Sequence, residues 1–484
     1  MTQIKSYIQK IFSANGIDIS SKKQILFDEF IKTTECEDAV NSILEKENQI
    51  MKNWKIKDRV AEIIAQHFVI PNATIGKPYE AKIDFQKLNL NDLIFEQFEG
   101  IEQIGLSFNK LTNTIEGTPT QSGDIKIKLL FNIEGENEAA PKNEKSISLI
   151  VNPDPKSLWK NRPSDINDIF WKEDDVSKSD KLGDRNIVVS SRRGRSHQNV
   201  GSFRDDDFAF KFFEKTGWSV VAVSDGAGNY SLSRKGSQLA CNSVIEYFES
   251  HTDIEKSEEF EIKINEYNTS KDDTLLKELE VLAKQNLYKA TVFVHNKIKE
   301  YSEETYKSNP ELFNNPKAKN YLDYYHSTLI FALFKKYDFG YVVLTFGVGD
   351  CPIAIMSKEK TETTLLNWLD VGEFGGGTRF ITQADIFHST EHPMATRFNF
   401  KIFPDFSYLF LMTDGIYDAK FVVEANLEKN EKWNEFLVDL HGKNEDNIKV
   451  DFDHSNDEIA TQLSNWMDFW SQGNHDDRTL AIVY

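Results

Sequence analysis

The chain has 484 residues, 39% of them hydrophobic, with 57 Lys and Arg against 77 Asp and Glu and a formal charge of -20. That length exceeds one hydrophobic core, so two or three domains are expected. The charge argues against a nucleic-acid or anionic-membrane binder, though not against acidic substrates, because bound cations reverse the field of a carboxylate-rich site. No run of about 20 apolar residues spans a membrane, the first residues lack a secretory core, and Cys36, Cys241 and Cys351 have no paired spacing, so a cytoplasmic protein without disulfides or a zinc knuckle is expected.

Residues 1–67 read as helical: Ala39, Val40, Ile43 and Leu44 recur at helical spacing, as do Val60, Ile63 and Ile64, with His67 one turn on as a structural residue. After Pro71 the pattern changes to short strands, Lys77 to Phe85, Ser107 to Ile115, I-K-I-K-L-L-F-N-I and Ser146 to Val151, separated by Asn, Gly and Pro. This predicts a small all-β sandwich over residues 68–152. The stretch Leu106 to Asp124, L-S-F-N-K-L-T-N-T-I-E-G-T-P-T-Q-S-G-D, resembles the immunoglobulin-like, cadherin-like modules of bacterial multidomain proteins. The resemblance implies a spacer or protein-binding module, with sugar binding as the alternative, and no calcium-binding acidic ladder accompanies it. Residues 153–182 carry Pro153, Pro155 and Pro163 and read as a linker or a loop laid over the next domain, anchored by Trp159 and Trp171.

The remaining unit, residues 183–484, opens with a strand, Val188 to Ser191, the basic stretch R-R-G-R-S-H and three carboxylates, Asp205 to Asp207. Next comes W-S-V-V-A-V-S-D-G-A-G-N, Trp218 to Asn229, an uncharged strand whose Asp225 stands at the mouth of a core. Helices are expected over Leu232 to Phe248 and Leu275 to Ile298, with His295 structural and an acidic loop, 249–272, between them. Strands are expected at Ser327 to Phe334, Tyr341 to Gly347, Cys351 to Met356, Arg379 to Thr382, Tyr408 to Met412 and Thr479 to Val483. Long helices interrupting hairpin-spaced strands predict an α+β layered sandwich. There is no G-x-x-x-x-G-K-[ST] and no G-x-S-x-G. What remains is an all-oxygen set, Asp207, Asp225, Asp350, Asp414, Asp418 and Asp476, mostly at strand ends. Such carboxylates suit Mg²⁺ or Mn²⁺.

The ordered motifs S-D-G-A-G, H-S-T, G-V-G-D, M-T-D-G-I-Y-D and G-N-H-D-D-R-T resemble the metal-dependent PPM or PP2C family of serine/threonine phosphatases in its bacterial form. The resemblance implies a PP2C-like β-sandwich flanked by helices, and hydrolysis of phosphoserine and phosphothreonine in proteins by water activated between two Mn²⁺ or Mg²⁺ ions. It further implies that Asp207 binds one metal, Asp225 bridges both ions with the Gly226 carbonyl completing a shell, and Asp414 and Asp476 hold the other ion. Asp350 and Asp418, with Asp414, match a third metal site in many members. An arginine would offset the phosphoryl charge. Arg192, Arg193 and Arg195 are available, and Arg193 is favoured. The implied partners are a phosphorylated protein substrate and a cognate kinase, with the N-terminal segments as protein-contact elements. Three departures stand out. Ala227 replaces the histidine proposed as general acid in eukaryotic members, with His197 or water as substitutes. Asp477 stands where asparagine is usual, and Asp206 beside Asp207 leaves the register open. Gly372 to Phe380 reads either as a substrate flap or as a crowded turn relieved by its glycines, and 424–458 as an insertion with a small helix. A catalytically weak, partner-binding relative and a small-molecule phosphatase stay open as alternatives.

Overall fold

The computed structural model describes residues 2–137, 141–250, 254–370, 377–390 and 392–484. The chain divides into two compact units, Met1–Leu158 and Trp159–Tyr484. Among the described residues no helix is long and apolar enough to cross a membrane.

The first unit begins with helices Thr2–Ala14, Gln24–Phe30 and Thr34–Ala65. Thr33 caps the longest, its hydroxyl accepting from Cys36 N at 3.3 Å. That helix uses two faces. Cys36 and Val40 bury against Ile8, Phe27 and Ile31, while Ile56, Val60 and Ile63, at i, i+4 and i+7, join the core of the strands that follow. Those strands form one four-stranded and one three-stranded sheet over a shared core. The alternation of Asn143–Asn152, with Ile147, Leu149 and Val151 buried, sets which face each strand turns inward.

The second unit is a sandwich of two antiparallel sheets. One runs Asp207–Phe213, Trp218–Ser224, Leu329–Tyr337, Gly340–Val348, Phe398–Phe403. The other runs Thr363–Leu365, Ile353–Ser357, Phe406–Met412, Arg478–Val483, Arg185–Arg192, Asp175–Leu182. Val221, Val223, Ile330 and Ala332 of the first sheet meet Ile187, Val189, Leu409 and Ala481 of the second between the layers. The opposite faces are apolar as well, which explains why these strands read as continuous hydrophobic runs. Val220, Ala222 and Phe331 lie under helices Ser233–Ser250 and Asp273–Ser308. Val188, Phe410 and Ile482 lie under Asp414–Phe421, Asn430–Leu440 and Ile459–Trp466. Helices thus cover both outer faces.

Three local elements differ from the sequence reading. The end of the segment read as a linker, Asp175–Leu182, is the edge strand of the six-stranded sheet, hidden in the sequence because its side chains are mostly exposed and polar. Residues read as an acidic loop include the helix Ile254–Ser270, whose Phe260, Ile264 and Tyr267 pack on the core at helical spacing amid a polar majority. Arg379 to Thr382 is not a strand. The fifth strand of its sheet is Phe398–Phe403, paired with Tyr341–Phe346. Of the glycine-rich stretch Gly372 to Phe380, residues 372–376 lie outside the described residues.

Candidate metal centre

Asp225 follows the strand Trp218–Ser224, and the next strand fixes its main chain. Asp225 N donates to Thr328 Oγ1 at 2.9 Å and Thr328 N donates to Asp225 O at 2.8 Å. Gly226 bridges to Ser327, and a Cβ there would stand 2.7 Å from Asp205 O and 2.9 Å from Ser233 O, so only glycine lets these backbones meet. The H-S-T tripeptide is therefore a clamp on the Asp-Gly turn. The second Asp-Gly, Asp414-Gly415, opens the helix Asp414–Phe421 directly after the strand Phe406–Met412. A side chain on Gly415 would overlap the Asp477 carbonyl. Asp418 is one turn further along that helix, accepting from Asn474 Nδ2 at 3.5 Å. Asp350 follows Gly349, whose N–H donates to Asp370 at 2.8 Å, and Asp350 Oδ2 accepts from Thr378 Oγ1 at 2.8 Å. Asp476 accepts from Asp477 N at 2.8 Å.

These carboxylates converge. Burial raises the Asp225 pKa well above the ordinary value, and Asp414, Asp206, Asp476 and Asp350 raise it further by repulsion. Asp414 is raised in the same way by burial, then by Asp476, Asp350, Asp206 and Asp418. Asp350, Asp418 and Asp476 are likewise raised, chiefly by burial. Crowded carboxylates of this kind need protons or a cation.

Two of the expected residues lie elsewhere. Asp207 turns away from the cluster: its Oδ2 pairs with buried Lys172 Nζ at 3.0 Å and its Oδ1 accepts from Phe208 N. Burial opposes its ionisation, but Lys172 and Arg204 outweigh that and hold its pKa below the ordinary value. Asp206 faces the cluster instead. Its Oδ2 accepts from Thr413 Oγ1 at 2.9 Å and Thr479 Oγ1 at 2.8 Å, and burial followed by the Asp477 and Asp476 charges raises its pKa. The strand period explains the swap. Asp206 shares its face with Phe208, between the sheets where Val221, Val223 and then Asp225 also point, whereas Asp207 shares the helix-side face of Ala209. That alternation was the signal in the sequence that could have chosen between them.

Arg193 is also placed away from the role expected of it. It is 2% exposed, and its guanidinium donates to Ser202 O at 2.6 Å, Asn161 Oδ1 at 2.9 Å and Arg162 O at 2.7 Å and pairs with Asp174. Arg192 and Arg195 are ion-paired to Asp468. Arg379, beside the Thr378 that bonds Asp350, is half-buried and ion-paired to Asp385.

Asp477 is buried and does structural work: it accepts from Gly194 N at 2.6 Å, from Asp205 N, and bonds His197 Nδ1 at 3.0 Å. Burial disfavours the imidazolium, yet Asp477, then Asp205 and Asp476, push His197 up to about 10. This explains a carboxylate at 477 and commits His197 to an ion pair. Ala227 N donates to His326 O at 3.0 Å, and the His326 ring bonds Thr382 Oγ1 at 2.7 Å.

The donor chemistry fits hard divalent cations. Buried Asp206 Oδ1 and Asp350 Oδ1 have no hydrogen-bond partner. Asp225, Asp350 and Cys351 place ligand atoms within 4.8 Å of one another. Burial drives the Cys351 thiol pKa well up, so the usable donors are oxygens. A family model described as protein phosphatase 2C matches residues 193–468. Solved structures similar to the chain include a bacterial serine phosphatase, 13% identical with a TM-score of 0.32, the match covering 61% of this chain and 96% of that one. The S. agalactiae serine/threonine phosphatase is 14% identical over 62% of this chain and 99% of that one, TM-score 0.32. RsbX in complex with magnesium is 12% identical over 64% and 98%, TM-score 0.29. No curated protein gives a significant match.

Proposed function

We propose that this chain, which belongs to the protein phosphatase 2C family, hydrolyses phosphoserine and phosphothreonine in proteins using two Mn²⁺ or Mg²⁺ ions. The observation that carries this reading is the convergence of Asp206, Asp225, Asp350, Asp414, Asp418 and Asp476, with buried carboxylate oxygens of Asp206 and Asp350 left unpartnered. Asp225 would bridge the ions with the Gly226 carbonyl beside it, and Asp414 and Asp476 would hold one of them. Asp350 and Asp418, with Asp414, would supply a third site. Bound divalent ions would lower the pKa of an attacking water and offset phosphoryl charge.

The protein's own groups do the positioning. Thr328 holds the Asp225 main chain, and Thr413 and Thr479 orient Asp206. Arg379, half-buried beside the Thr378 that bonds Asp350, is our candidate for the phosphoryl oxygens, since Arg193 is consumed by internal partners. Because Ala227 supplies no acid to the leaving alkoxide, aryl phosphates should be cleaved faster than seryl phosphates. The first unit's sheets support an immunoglobulin-like module over 68–152, after the helical segment 1–67, that contacts protein partners.

The test is Mn²⁺-dependent hydrolysis of an aryl phosphate and a phosphothreonine peptide, with chelation and the variants Asp225→Asn and Asp414→Asn as controls. Activity abolished by each control is expected. A folded chain that binds Mn²⁺ yet cleaves neither substrate would refute the hydrolase and favour a partner-binding role, which Ala227 would then explain.

A further inference from the structure

The segment Trp159 to Asp174 precedes the first strand of the sandwich and lies across the loop that carries the first-motif carboxylates. Basic side chains grip it along its length. Arg193 holds Asn161, the Arg162 carbonyl and Asp174. Arg234 donates to Asp168 Oδ1 at 2.7 Å and Phe170 O at 3.2 Å, and Arg204 Nε donates to Glu173 O at 3.1 Å. At its start, Trp159 packs on His475 with ring centroids 4.6 Å apart and the planes tilted by 52°, next to Asp476. Near its end, Lys172 reaches inward, and its Nζ donates to Asp206 O at 2.7 Å, Asp207 Oδ2 at 3.0 Å and Arg234 O at 3.1 Å.

We infer that Lys172 is a positioning residue for the metal centre: by tying the Asp206 main chain to this strap, it fixes where the Asp206 carboxylate meets Asp225. The inference rests on the proposed metal site. Arg204 Nη1 also donates to the Asp206 carbonyl at 2.6 Å from two residues away on the same loop, and is itself held by Ser191 Oγ at 2.6 Å and Glu173 O at 3.1 Å. Lys172 is the donor from outside that loop. Nothing in the metal chemistry requires a buried lysine, and burying an ammonium is costly unless it is paired and fully bonded. Its three acceptors meet that need, and two of them belong to Asp206 and Asp207. Asp207 thereby gains a purpose as the counter-ion that offsets part of the burial holding the Lys172 pKa below its ordinary value. Removing partners of this outer kind weakens metal binding about 10–100-fold in characterised metal sites.

The test titrates Mn²⁺ against the full chain by the electron paramagnetic resonance of free Mn²⁺, alongside thermal melting in chelator. Lys172→Met alone leaves Asp207 buried without its partner and should melt lower. The double change Lys172→Met/Asp207→Asn removes both charges and should recover the melting midpoint, while Mn²⁺ affinity stays about tenfold weaker than wild type. Unchanged affinity in the double variant would overturn the inference while leaving the proposed function standing. Wild-type chain that binds no Mn²⁺ would overturn both.

Discussion

Asp206 and Asp207 are adjacent, chemically identical and assigned to opposite sides of one strand, so exchanging each for asparagine separates metal binding from fold stability. In Asp207→Asn the Lys172 ammonium keeps its two carbonyl acceptors but loses its counter-charge, with side chains 8% and 14% exposed in the pair. Breaking a buried ion pair from one side costs about 3–5 kcal/mol. For a unit of this size, at about 2 °C per kcal/mol, the melting midpoint should fall by ~6–10 °C. Mn²⁺ affinity should stay within a few-fold of wild type, because Lys172 still holds the Asp206 carbonyl. In Asp206→Asn the amide keeps an acceptor for Thr413 and Thr479, but one negative charge leaves the cluster. The metal-free protein should become more stable, since burial and the Asp477 and Asp476 charges penalise that carboxylate. Mn²⁺ affinity should fall about 10–100-fold. Calorimetric melting in chelator and isothermal titration with Mn²⁺ read both quantities. If Asp207→Asn costs metal affinity and Asp206→Asn does not, the assignment of faces is wrong.

Other consequences follow from the same geometry. Arg193→Ala should lower the melting midpoint, leaving KM for an aryl phosphate unchanged in the cold, whereas Arg379→Ala should raise KM about tenfold at unchanged stability. Equal KM effects would contradict the placement of Arg193. The metal-free protein should lose stability as pH rises from about 4, because Asp225 and Asp414 bind protons more tightly folded than unfolded. Urea midpoints at about pH 5 and about pH 8 in chelator should show this fall, and saturating Mn²⁺ should remove it. For His197 the folded pKa is raised, so its pairing with Asp477 stabilises fully below the unfolded value of about 6.5 and is lost as pH rises through about 10. Asp477→Asn should bring the His197 NMR titration down toward its ordinary value. A titration unmoved by that change would mean Asp477 is not its partner.

Much of the second unit was legible because its strands are buried on both faces and its motifs fall at strand ends. The run W-S-V-V-A-V-S and the paired Asp-Gly turns place Asp225 and Asp414 without any tertiary information. Less legible were elements whose apolar positions are few. Ile254–Ser270 buries one side through Phe260, Ile264 and Tyr267, and Asp175–Leu182 is an edge strand held by backbone pairing. The Asp206 register was present in the sequence as the Phe208 face but required knowing which face met the second sheet. Arg193 could not be excluded from sequence, because its partners Asn161, Arg162 and Asp174 come from a segment with no periodic signal. Asp477 looked like surplus negative charge until His197, 280 residues away in sequence, was brought 3.0 Å from it.

The acidic cluster is proposed to hold two divalent ions between Asp225 and its neighbours. Anomalous diffraction from crystals grown with Mn²⁺ tests it most directly. Two peaks sharing the Asp225 carboxylate are expected, one beside the Gly226 carbonyl and the other between Asp414 and Asp476, with Lys172 still on Asp207. A peak on Asp207, or none at Asp225, would contradict it.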